Sequence, residues 1–408
     1  TSFPAKAELS ASPADAKDLK SRACRLTLES DVVVGIGGIV VASPSGASDV
    51  LLLLIDDLGS VADNGNNRSV AEAQPIDIPT AVDGVVDGSP FDYYKFSGKK
   101  DQRISVEVVA ARLGTSLDAV VRLLRTDGSE LKLADDDVSL GADCRFSVTL
   151  PEDGEYLLEV RDNQYRSGGR YRLRIGDFPL VTVPYPLAGR RGSTRRFDFA
   201  GPSQDDVASL MFRVPDRIRG DRLSIAARFP DGNASALATL ITSDLPEVVE
   251  SEPNNAAEMA TPVTLPVGLN GRLDPAGDRD YFEFAALKDQ SLAFMVISRS
   301  LGSPSVASMR LYDAANKQLA ETPISDSDEW TFTYRFPADG MYRLMVEDLV
   351  RRGGPEHAYR VEVRPSIGFS LTIKQDESTR FNPPVNGGAI ALTIQCDRQG
   401  YDGPIELA

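Results

Sequence analysis

The chain states one pattern twice. Asp92-Tyr93-Tyr94-Lys95-Phe96 is answered by Asp280-Tyr281-Phe282-Glu283-Phe284, and Lys100-Asp101-Gln102 by Lys288-Asp289-Gln290. Leu113-Gly114 is answered by Leu301-Gly302, and Arg122-Leu123 by Arg310-Leu311, always at a separation of 188 residues (280 − 92). Pro151, Asp153, Gly154 and Tyr156 recur as Pro337, Asp339, Gly340 and Tyr342 at 186 residues (337 − 151). Tyr171-Arg172 and Tyr359-Arg360 then restore the first offset. A period this long lies far above the range of roughly 20–50 residues that marks stacked solenoid repeats, so 69–175 and 257–363 read as a duplicated domain. Duplication suits an extended binding or spacer protein better than a single catalytic pocket.

Within each copy the apolar residues alternate at period two, as in Ile104-Val106-Val108 and Tyr171-Leu173-Ile175. Turn signals such as Thr126-Asp127-Gly128, Pro151-Glu152-Asp153-Gly154 and Ala338-Asp339-Gly340 separate the runs. Short strands between closely spaced turns predict an all-β chain of sandwiches or barrels. The expected division is a small β module at 1–65, a first repeat at 66–179 and a shorter Arg-rich module at 180–249. A second repeat at 250–366 and the start of a further β module at 367–408 complete it. The run Val50-Leu51-Leu52-Leu53-Leu54-Ile55 reads as a buried strand, too short for the ~18 residues of a membrane span. Gly35-Ile36-Gly37-Gly38 lacks the spacing of a nucleotide loop and is expected to be a β-turn between strands.

With 44 Lys and Arg against 60 Asp and Glu, the net charge is −16 and the isoelectric point near 4.7. That balance argues against nucleic acid or an anionic membrane surface as partner and suits a divalent cation. Membrane insertion is not expected, and the expected state is a monomer. Cys24, Cys144 and Cys396 are too scattered for a disulfide framework or a zinc site, so buried free thiols are expected.

The sharpest chemical signal opens the second repeat. Alternate residues of an extended strand share a face, so Glu250, Glu252 and Asn254 can converge, and Asp278 and Asp280 repeat the i, i+2 spacing nearby. Five oxygen donors with backbone carbonyls and water would fill the six to eight positions that Ca²⁺ takes, while no soft ligand recommends zinc or copper. The same residues could equally form a polar turn held by local hydrogen bonds. The first repeat keeps Asp63, Asn66, Asn67, Asp87 and Asp92 but loses the Glu-x-Glu-Pro opening. Asp135-Asp136-Asp137, with Asp143 or Asp162, is a further acidic candidate there.

Glu-Pro-Asn-Asn, Gly-Asp-x-Asp-Tyr-Phe-x-Phe, Pro-x-Asp-Gly-x-Tyr and a closing Tyr-Arg-Val-Glu-Val together resemble the bacterial pre-peptidase C-terminal domain. That family is similar to the collagen-binding domains of bacterial collagenases. The resemblance covers about half the chain. It implies tandem jelly-roll-like β-sandwiches and a Ca²⁺ site at Glu250, Glu252, Asn254, Asp278 and Asp280. It also implies a secreted, periplasmic or cell-surface protein. The flanking pieces look more loosely like immunoglobulin-like modules. Two functions follow: a non-catalytic fragment binding Ca²⁺ and a protein or polysaccharide partner, or the accessory region of a secreted hydrolase whose catalytic domain lies outside this chain.

Catalytic signatures are missing from the sequence. The single histidine, His357, sits in a Gly-Gly-Pro-Glu-His loop and reads as a surface residue, and no nucleophile elbow is present. Arg190-Arg191, Arg195-Arg196 and Arg217-Ile218-Arg219 make the middle module locally basic. They would face solvent, an acidic neighbour or an anionic glycan. The only tryptophan, Trp330, is expected in strand packing.

Overall fold

Strand Phe91–Gly98 alternates half-buried and buried side chains along most of its length, and Arg279–Ala286 repeats the same alternation position by position. This is the pattern of strands with one face in a core. The computed structural model describes residues 5–9, 24–29, 32, 34–44, 46–87, 90–137, 139–201, 207–216, 220–230, 235–323, 329–366, 370–373, 393–397 and 403–406. These residues are all-β, with short 3₁₀ turns and no α-helix among them. Among the described residues, no helix is long and apolar enough to cross a membrane.

Each repeat builds two five-stranded sheets, one of them completed by a strand from the segment ahead of it, Ser60–Ala62 or Glu247–Val249. In the first, one sheet runs Glu130–Ala134, Ala119–Arg125, Gly154–Asp162, Phe91–Gly98, Gln74–Pro75. The other runs Cys144–Thr149, Arg103–Val109, Gly169–Gly176, Thr80–Val86, Ser60–Ala62. The second repeat reproduces both orders. Gln318–Glu321, Ala307–Asp313, Gly340–Asp348, Arg279–Ala286, Thr261–Pro262 form one sheet, and Trp330–Arg335, Ser291–Ile297, Ala358–Pro365, Val267–Arg272, Glu247–Val249 the other. One apolar cluster in each repeat draws on both of its sheets, with Phe282, Phe284, Phe294 and Phe336 fully or almost fully buried in the second. Trp330 lies in that core.

Several of the duplicated residues are explained by turn chemistry. Asp101 and Asp289 take φ of 62° and 64°, a left-handed conformation that Asp tolerates. Gln102 and Gln290 each accept the backbone N–H three residues earlier, at 2.9 Å. Asp153 accepts the Lys100 N–H at 2.7 Å and Asp339 the Lys288 N–H at 2.6 Å, tying two turns together. Tyr156 and Tyr342 donate back to the carbonyls of Glu152 and Ala338, at 2.6 and 2.8 Å. Asp92 and Asp280 are not explained this way. They are carboxylates in the inward phase of their strands.

The middle segment has two three-stranded sheets and its own core around Phe178, Phe197, Ile225 and Leu240. A separate apolar cluster joins it to the second repeat. Three sequence expectations are corrected. Gly35–Ile39 is a strand rather than a turn, because Leu51–Ile55 supplies an antiparallel ladder that keeps the glycines extended. The apolar run is one edge of that two-stranded ribbon, so Ile55 is buried while Leu51 stays 61% exposed. Cys144 is buried and free, but Cys24 and Cys396 are exposed, each on a strand of a two-stranded pair. Arg217–Arg219 and residues 399–402 of the expected tail lie outside the described residues.

Candidate metal centre

Asp280 is wholly buried on the inward face of Arg279–Ala286, opposite Val346. Its Oδ2 accepts the Tyr359 hydroxyl at 2.6 Å, while Oδ1 is buried with no partner. The segment after strand Glu247–Val249 brings three more groups to it. Glu250 Oε1 accepts the Arg272 N–H at 2.7 Å and the Tyr185 hydroxyl at 3.1 Å. Asn254 is also wholly buried; its Nδ2 reaches Glu250 Oε2 at 3.5 Å and its Oδ1 has no partner. Glu252 is exposed and accepts the Asn254 N–H at 3.0 Å. One oxygen from each of Glu250, Glu252 and Asp280 lies within 4.8 Å of the others. Ligands at roughly 2.3–2.6 Å from a common Ca²⁺ can be separated by up to about 5 Å, so this spacing fits.

Two buried partnerless oxygens beside three carboxylates are a costly arrangement, because a buried polar atom without a partner loses its hydration for nothing. Burial drives the Asp280 carboxyl up to about 10, and the Glu250 charge adds to it. Burial likewise drives Glu250 up to about 7, opposed first by a side-chain hydrogen bond shared with Asp280 and then by those from the Arg272 N–H and the Tyr185 hydroxyl. Without a cation, the pair therefore keeps at least one proton at neutral pH. Glu252 and Asp278 are raised too, by burial first.

Of the five expected ligands, Glu250, Glu252 and Asp280 bring their oxygens together, Asn254 adjoins Glu250 through Nδ2, and Asp278 stands apart. Asp278 Oδ1 accepts from Asn255 Nδ2 and the Arg279 N–H, and its Oδ2 accepts the Asp274 N–H, clamping the turn before the strand. Sequence reasoning missed Tyr359 and Tyr185. It also missed Gly271, where a Cβ would run into the Tyr359 hydroxyl and lie 2.7 Å from Glu250 Oε2. A signal existed for one of them: Tyr171 and Tyr359 keep the 188-residue offset of Asp92 and Asp280. Gly84 and Gly271 lie 187 residues apart (271 − 84) and correspond through their strand partners Tyr171 and Tyr359.

The first repeat holds a reduced counterpart. Asp92 is buried and accepts the Tyr171 hydroxyl at 2.7 Å, and burial pushes it up to about 7. Tyr171 and Tyr94 share a hydrogen bond at 2.6 Å. Asn67 stands where Asn254 stands, as its carbonyl accepts the Tyr93 N–H just as that of Asn254 accepts the Tyr281 N–H. Both side-chain polar atoms of Asn67 are buried and partnerless. Gly65 occupies the position of Glu252, so the third carboxylate is gone. Asn66 bonds within its own turn to Asn64, and Asp87 pairs with Arg68.

The acidic run resolves differently from its expectation. Asp135 and Asp136 gather with Asp118 rather than with Asp143 or Asp162. Asp137 pairs with Arg145, Asp143 binds Arg112 and the amides of Ala110 and Ala111, and Asp162 caps its own turn with Arg166. His357 is half-buried rather than on the surface, with Nδ1 2.9 Å from Ser305 Oγ. Ser305 is wholly buried, so this Ser–His contact presents no open nucleophile.

Residues 90–162 match the sequence profile of the bacterial pre-peptidase C-terminal domain. The first repeat carries such a domain. A probable subtilase-type serine protease of Deinococcus radiodurans is 33% identical over 140 residues, which is 32% of this chain and 19% of that protein. The chain thus spans about a fifth of the curated relative. Among solved structures, the chain is similar to the pre-peptidase C-terminal domain of collagenase from Bacillus anthracis. The identity is 19%, the coverage 26% of this chain and 94% of that one, and the TM-score 0.22. It is also similar to Aeromonas hydrophila PliG, a periplasmic lysozyme inhibitor, at 14% identity, 29% and 96% coverage and a TM-score of 0.20.

Proposed function

We propose that this chain is a non-catalytic accessory region of a secreted protein, with a Ca²⁺ site in its second repeat at Glu250, Glu252, Asn254 and Asp280. The two repeats are read as jelly-roll-like β-sandwiches, with smaller immunoglobulin-like modules around them. Their task is to hold a protein or polysaccharide partner near an activity located elsewhere in the full-length protein. The observation that carries the metal reading is the trio of Glu250, Glu252 and Asp280, with one oxygen of each within 4.8 Å of the others. Within it Asp280 Oδ1 is buried without a partner, and Asn254, another buried side chain with a partnerless oxygen, adjoins the trio at Glu250. A divalent cation gives those oxygens a partner and neutralises the carboxylates in one step. Asp278 supports the site by fixing the turn that leads into Asp280. The protease relative, over the part it shares, supports the accessory role.

Flow dialysis of the whole chain against radioactive Ca²⁺ tests the proposal. One high-affinity ion per chain is expected, lost in Asp280→Ala and retained in Asp92→Ala. Mg²⁺ should compete poorly, since it demands a small octahedral shell and keeps its waters. Absence of binding at millimolar Ca²⁺, or loss on Asp92→Ala instead, would reject it.

A further inference from the structure

The metal centre is not built from the second repeat alone. Tyr185 belongs to strand Val183–Tyr185 of the middle segment, which pairs with Thr194–Ala200. Its hydroxyl donates to Glu250 Oε1 at 3.1 Å, the same oxygen that accepts the Arg272 N–H. The ring is held under the Arg272 guanidinium, 4.1 Å from the ring centroid. Nearby, the Ala188 N–H donates to Asn270 Oδ1 at 3.2 Å, a buried contact between the two units. Val183, Leu187 and Ala188 pack in one apolar cluster with Ile297, Leu301 and Ala358 of the second repeat. The first repeat has no matching arrangement among its described residues. There Asp63, at the position of Glu250, accepts the Gly65 N–H of its own turn at 3.0 Å.

We infer that Tyr185 is a positioning residue for the ligand Glu250, so that cation binding and docking of the middle module onto the second repeat are one linked equilibrium. This rests on the calcium reading above. The direction follows from geometry. The Tyr185 hydroxyl and the Arg272 N–H both hold Glu250 Oε1, while Oε2 lies beside Asn254 Nδ2. The docked module therefore holds Glu250 in the place a cation needs, and a cation that binds Glu250 fixes the acceptor of the bond that joins the modules. By reciprocity, the docked phenol must raise the affinity for the ion by the same factor. The ligand at this interface is thus a divalent cation whose occupancy stiffens a junction between two modules, which the first repeat does not share.

The test uses the whole chain, with CaCl₂ as the only ligand. Tyr185→Phe removes the hydroxyl and keeps the ring beneath Arg272. It should weaken Ca²⁺ binding about fivefold or more. Leu187→Ala loosens the interface without touching the centre and should shift affinity the same way. Hydrogen exchange at the Ala188 amide should slow on adding Ca²⁺ in the wild type, and by much less in Tyr185→Phe. If the wild type binds Ca²⁺ and both variants match it, the linkage is refuted while the calcium site stands. Unchanged exchange at Ala188 with bound Ca²⁺ would refute the linkage equally. Failure of the wild type to bind Ca²⁺ would overturn both readings.

Discussion

Calcium entry should expel a proton, and the number expelled follows from the Asp280–Glu250 pair. The two carboxyls lie at about 10 and about 7 because both are buried and face each other. Between those values the cation-free pair holds one proton in common. A bound Ca²⁺ needs both groups ionised, so each ion should release about one proton at about pH 8. The sign follows: protons compete with the ion, so affinity falls as pH falls. The slope should be about tenfold per pH unit between about pH 7 and 10, steepening below pH 7 as the second proton binds. Isothermal titration in two buffers of different ionisation enthalpy, matched in pH, counts the protons directly. Heats identical in both buffers, together with an affinity constant from about pH 7.5 to 9, would mean that both carboxylates are already ionised. That result would refute the reasoning from burial.

Three further outcomes are expected. Asp92, raised by burial to about 7, keeps a proton in the folded state that the unfolded chain has released. Its stabilising contribution is therefore full below about pH 4 and is lost as pH rises through about 7, by up to about 1.4 kcal/mol per unit. Asp92→Asn should flatten that loss in urea midpoints taken in Ca²⁺. Arg174 is wholly buried between Asp56 and Glu107, at 3.1 and 2.7 Å, and Glu107 is held at about 2 despite its burial. Arg174→Met should cost about 3–5 kcal/mol at neutral pH. The lowered Glu107 contributes stability above about pH 4.5 that fades as pH falls toward 2, so the cost should shrink in acid denaturation curves. Finally, Ellman's reagent should titrate Cys24 and Cys396 rapidly and Cys144 only after unfolding.

The duplication and the period-two alternation made the all-β architecture readable in the sequence, because turn residues and inward side chains are fixed by neighbours a few positions away. The same local logic brought Glu250, Glu252 and Asn254 together, since i, i+2 spacing decides a face. It failed for Asp278, whose short side chain is taken up by the Asp274 and Arg279 amides of its own turn and by the Asn255 side chain. It also could not reveal Tyr185, which meets Glu250 across 65 residues and a module boundary. His357 misled for a related reason: a Gly-Pro loop looks exposed until Ser305 packs against it. Gly35–Ile39 was unreadable as a strand because its ladder partner, Leu51–Ile55, decides it from a distance.

The most direct test of the account is a crystal structure of the whole chain grown with Ca²⁺, with anomalous data collected at long wavelength. The account predicts a peak bounded by Glu250, Glu252, Asn254 Oδ1 and Asp280 Oδ1, with oxygens at about 2.3–2.6 Å. A site without a peak, or a peak at Asp118, Asp135 and Asp136 instead, would contradict it.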